Sequence, residues 1–86
     1  MSELGQIKQQ IMQFSAQVGQ AAYNIKQLEL DMDKQIGFIE QIIGGASDNA
    51  DKQMIAALEQ AKKSVNDAAL QLILASNAAS DWAARS

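Results

Sequence analysis

Apolar residues recur along the first half of the chain in alternating steps of three and four. Leu4, Ile7, Ile11, Phe14, Val18, Ala21, Ile25, Leu28, Met32, Ile39 and Ile42 fall on one line, interrupted only by Gln35. Gln6, Gln13, Gln20, Gln27, Lys34 and Gln41 mark the opposite face every seven residues. This heptad spacing predicts one amphipathic helix over about 3–43, roughly 60 Å long at 1.5 Å per residue. Met54, Leu58, Ala61, Val65, Ala68, Leu72, Ala75, Ala79 and Trp82 repeat the pattern and predict a second helix over about 49–84. Between them, Gly44-Gly45-Ala46-Ser47-Asp48-Asn49 is the strongest turn signal in the chain. Gly44 or Gly45 is expected to take the left-handed conformation that closes a helix, and Ser47 or Asp48 to cap the next one. A turn of about 44–48 makes the helices antiparallel neighbours. The expected fold is therefore all-α, a single helical hairpin over 1–86.

A register follows from matching apolar positions. Ile42 is set against Ile55, Ile39 against Leu58, Met32 against Val65, Ile25 against Leu72 and Val18 against Ala79. Phe14 then lies near Trp82, and residues 1–10 overhang the second helix. Trp82 is read first as the last seam residue and, alternatively, as a C-terminal docking residue.

Apolar residues remain after both seams are filled. Ile36, Phe38, Ile55, Leu70, Ile73 and Leu74 lie off the expected lines and are the candidate partner-binding residues. The segment from Leu70 to Ala75 is apolar nearly all round the helix, a pattern that calls for burial on more than one side. The hairpin is thus expected to complete a four-helix bundle by dimerisation or with a partner. A wide seam that takes up Ile36, Ile55 and Ile73 is the plainer alternative.

Composition narrows the chemistry. Histidine and cysteine are both zero, which removes the commonest general base, the commonest metal ligand and any disulfide. No serine has a histidine to activate it, so no enzyme, metal or cofactor is expected. Asp31 and Asp33 point apart on a helix, and Asp48, Asn49 and Asp51 lack the full calcium-loop pattern. A net charge of −3 without a basic cluster makes nucleic acid a poor partner. No apolar run is long enough for a membrane span. The first ten residues carry no basic region followed by an apolar stretch, so a cleaved secretory signal is not expected.

Two matched amphipathic helices, a glycine-containing turn, no cysteine and an acidic balance resemble the WXG family of type VII secretion and the related small helical partners of LXG toxins. Ile43-Gly44-Gly45 stands where the family's turn carries Trp-x-Gly. Tyr23 is followed four residues later by Gln27, and Trp82-Ala83-Ala84-Arg85 places an aromatic near the C-terminus without the acid of the family's export motif. The resemblance implies a small secretion-associated hairpin that binds itself as a homodimer, a related helical protein, or a toxin's N-terminal helical domain. It implies export without a cleaved signal peptide, with a cytoplasmic stage before export. A polymerising subunit like those of type III needles and a cytosolic coiled-coil adaptor or chaperone are the alternatives. Needle subunits usually carry prolines in the turn and this chain has none, while an adaptor calls for charged pairs beside the seam, where Gln10, Gln17 and Asn24 stand.

Overall fold

A computed structural model describes residues 2–44 and 48–86. It contains two long helices, α1 (Glu3–Ile43) and α2 (Asn49–Arg85), packed as a hairpin with extents of 65 × 16 × 14 Å. A continuous helix of 86 residues would be about 130 Å long, so the chain is folded back on itself.

Each helix end is closed by local chemistry. The Ser2 hydroxyl accepts from the Gly5 N–H at 3.1 Å, satisfying a free donor in the first turn of α1. At the other end Gly44 sits at φ 71°, ψ 40°, and its N–H donates to the Glu40 carbonyl at 3.0 Å. A residue with a side chain would be strained in this left-handed position. Asp48 caps α2 by accepting from the Asp51 N–H at 2.9 Å. Asp51 in the first turn and Arg85 in the last complement the helix dipole. The expectations for Gly45 and Ser47 lie outside the described residues.

The seam corrects the heptad reading in a regular way. Ile11, Val18, Ile25, Met32 and Ile39 face α2 as expected. Their seam partners are Ser15, Ala22, Glu29, Ile36 and Ile43, four residues on, instead of Phe14, Ala21, Leu28, Gln35 and Ile42, three residues on. The second helix makes the same choice. Leu58, Val65, Leu72 and Ala79 are kept, while Ile55, Lys62, Ala69, Ser76 and Ala83 replace Met54, Ala61, Ala68, Ala75 and Trp82. With the retained positions labelled a, the hairpin closes on a and e, and the d positions stay outside. All five buried residues, Ser15, Ala22, Ile36, Ala69 and Ala83, are e positions.

Size and polar satisfaction account for the choice. Ser15, Ala22, Ala69, Ser76 and Ala83 at e bring the two backbones close in the half away from the turn, where Phe14 and Trp82 in the same gap would hold them apart. Where they meet, the Ser15 hydroxyl donates to the Ser76 carbonyl at 2.8 Å and the Ser76 hydroxyl donates to the Ser15 carbonyl at 3.0 Å. Each serine reaches the other helix's backbone, which only a close crossing permits. Gly19 belongs to the same approach, since a Cβ there would lie 3.5 Å from the Ser76 hydroxyl oxygen.

The Ser15–Ser76 pair also sets the register. Each step of seven up α1 is a step of seven down α2, so Ala22 faces Ala69, Glu29 faces Lys62 and Ile36 faces Ile55. Relative to the expected pairing α2 is displaced by six residues, about 9 Å. The cause is the connection: α1 ends at Ile43 and α2 begins at Asn49, so these two ends must lie level. The displacement carries α2 further along α1, where Gly5 and Lys8 are half-buried. The overhang expected for residues 1–10 shrinks accordingly.

Candidate functional site

The d positions form the candidate site. At about 100° per residue, position d lies about 80° from the midline of an a/e seam. Two antiparallel helices are related by an axis perpendicular to the plane that contains them. Equal heptad letters therefore emerge on the same side of the hairpin. Ile7, Phe14, Leu28 and Ile42 of α1 thus share one open face with Met54 and Trp82 of α2. Phe14 is 59% exposed, Leu28 50%, Ile42 70%, Met54 42% and Trp82 42%. Ala61, Ala68 and Ala75 lie between the large residues of α2, and Ala21 and Gln35 complete the α1 line. The positions bordering this face are mostly uncharged, among them Gln10, Gln17, Asn24, Phe38, Ala57, Ser64, Gln71 and Ala78, with Asp31 and Arg85 charged.

The opposite side carries the polar bridges. Lys26 donates to Asn66 at 2.8 Å and Lys62 to Asp33 at 2.8 Å, both across the two helices. Lys26 also pairs with Glu29 at 2.8 Å and Lys62 with Glu59 at 3.2 Å. Lys26, Asp33, Glu59 and Asn66 each follow an a position by one residue, which places them together. The Asp33 carboxylate, and after it Glu59, raises the Lys62 ammonium above the ordinary lysine range, because both stabilise the charged form. Exposed pairs of this kind each contribute little stability.

The other partner-binding candidates are scattered by the geometry. Ile36 is buried in the hairpin's own seam and Ile55 is half-buried there, so neither is free for a partner. The wide-seam alternative accounts for these two and leaves Ile73 out, at 40% exposure. Ile73 and Leu70 lie on the bridged side, Leu74 points directly away from α1, and Phe38 borders the open face. Trp82 does not close the hairpin over Phe14, because Ala83 takes the seam position beside it. Gln35 is exposed, and the polar seam residues are Ser15, Glu29, Lys62 and Ser76. The sequence signal for the open face is the apolar d line itself, which the heptad spacing places inside the hairpin and the structure leaves exposed.

Among the described residues no group of three acidic, histidine or cysteine side chains is placed to hold a metal. No helix of the described residues is long and apolar enough to cross a membrane. Neither family models, curated proteins nor solved structures give a match to this chain.

Proposed function

We propose that the chain is a non-enzymatic interaction hairpin whose open d face completes a four-helix bundle with a second copy or a related helical protein. The supporting observation is a helix face three heptad letters wide. Position e is occupied by the hairpin mate, a lies beside it in the seam, and d is exposed and, but for Gln35, apolar. An a/d/e face is the pattern of a helix that touches two neighbours in a bundle. The whole broad side of the hairpin is about 65 × 16 Å, so only a partner lying along most of it can bury the ~800 Å² of a standard interface. A partner must therefore run along most of its length, as another helical rod does. Phe14, Leu28, Ile42, Met54 and Trp82 are 42–70% exposed, and covering them contributes on the order of 1 kcal/mol apiece.

The setting we propose is a type VII secretion system. It is supported by the matched helices, the glycine turn and the acidic balance, and the partner class it supplies is a toxin's N-terminal helical domain. Sedimentation of the purified chain at micromolar concentration, alone and with the products of adjacent genes, tests the reading. Assembly is expected, and Phe14→Asp with Leu28→Asp abolishes it at unchanged helicity. Leu74→Asp, on the far side of α2, leaves it intact. A chain that stays monomeric alone and with every neighbouring product refutes the proposal.

A further inference from the structure

Beside its observed seam the hairpin carries a second, mostly apolar line on each helix. In the observed seam the e layers are Ser15 with Ser76, Ala22 with Ala69, Glu29 with Lys62 and Ile36 with Ile55. Four of these eight residues are polar. Were the d positions turned inward, the layers would be Ile7 with Trp82, Phe14 with Ala75, Ala21 with Ala68, Leu28 with Ala61 and Gln35 with Met54. Gln35 is the one polar member, and three of the four wholly apolar layers set a larger residue against a smaller one or alanine. The a residues Ile11, Val18, Ile25 and Met32 serve both seams. At the observed register Phe14 lies level with Asn77, so the second arrangement also requires α2 to slide by two residues, about 3 Å. An a/d midline and an a/e midline differ by half of one residue's rotation, so each helix needs to roll by about 50°.

We propose that the hairpin is a two-state device in which both helices roll between an open a/e seam and a closed a/d seam. The open state presents Phe14, Leu28 and Trp82 to a partner, and the closed state folds them against the other helix. The Ser15–Ser76 hydrogen bonds and the Lys26–Asn66 and Lys62–Asp33 bridges hold the open state. Apolar burial in the d layers favours the closed one. With contributions opposing in this way, the closed packing is a minor state populated at about 0.1–10%. A partner that binds the d face draws the equilibrium to the open state by its differential affinity. This regulation rests on the d face being the docking surface.

Paired cysteines read the roll directly, because the chain has none of its own. Ser15→Cys with Ser76→Cys locks the open seam, where the two hydroxyl oxygens are 3.1 Å apart. Ala21→Cys with Ala68→Cys bridges only when the d line turns inward, since in the open state both point out of the same face. Gln27→Cys with Ser64→Cys, outside both seams, is the control. Oxidation is followed at a dilution where no assembly occurs, and intramolecular bridges are recognised by monomer mass. The Ala21/Ala68 pair is expected to close at about a tenth to a thousandth of the Ser15/Ser76 rate, as a minor state of that population dictates. The Ala21/Ala68-locked chain then fails to assemble, and reduction restores assembly. Closure no faster than the control overturns the roll, and so does a locked Ala21/Ala68 chain that still assembles. If instead the Ser15/Ser76-locked chain fails to assemble, the docking surface is refuted, while Ala21/Ala68 closure continues to support the roll.

Discussion

Adding three carbons at Ala69 and, separately, at Ala68 asks the hairpin which of two adjacent residues lies between its helices. Ala69 has no exposed surface, and the layer opposite it is Ala22 at 2% exposure. A leucine there has no space, and the backbones must separate around it. Overpacking of this kind costs about 1–3 kcal/mol. The helices are tied by hydrogen bonds one heptad away, at Ser15 and Ser76, so separation also weakens those bonds. For a domain of this size about 2 kcal/mol lowers the melting temperature by roughly 8–16 °C. Ala68 is exposed on the open face, and leucine is nearly as good a helix former as alanine, so Ala68→Leu is expected within about 0.5 kcal/mol of the parent. Both variants are melted by circular dichroism at concentrations below assembly. A larger loss for Ala68→Leu than for Ala69→Leu would place d inside the hairpin and refute the a/e seam.

Gly44→Val is expected to cost about 1–2 kcal/mol, since φ at 71° is left-handed and valine is strained there, while Gly37→Ala, with nothing within 4 Å of the added methyl, gains up to about 1 kcal/mol; urea midpoints measure both. Leu72→Asp places a charge in the seam and is expected to unfold the hairpin or severely weaken it, whereas exposed Gln71→Asp remains near the parent in a melting experiment. Lys62 has a folded-state pKa raised above its unfolded value of about 10.4, so the stability it contributes is complete below that pH and is lost as pH climbs through the folded value. Urea midpoints between pH 9 and 12 are therefore expected to fall for the parent more than for Lys62→Met, and equal slopes would refute the link.

The helices and their closure were legible because they are local. Steps of three and four over five heptads specify an amphipathic helix whatever it packs against. The Gly44 reversal and the Asp48 cap depend on a few neighbouring residues and on the conformational freedom of glycine. The d line was also legible as apolar, which is why Phe14, Leu28 and Trp82 stood out. Hydrophobicity alone ranked that line above one containing Ser15, Glu29, Lys62 and Ser76, so the reading turned each helix by half a residue's rotation.

Which line closes the hairpin is a relation between residues 61 positions apart in the chain. Backbones approach where small residues coincide on both helices. A serine becomes a good seam residue only when another helix brings a carbonyl within reach of it. The register is likewise a property of the pair. Apolar matches recur wherever one heptad slides past another, and the length of the connection at 44–48 selects among them. Periodicity along one helix carries neither piece of information. It determines that each helix has a wide apolar face, and only the packing of the two together decides that one edge of that face is consumed within the hairpin and the other left open.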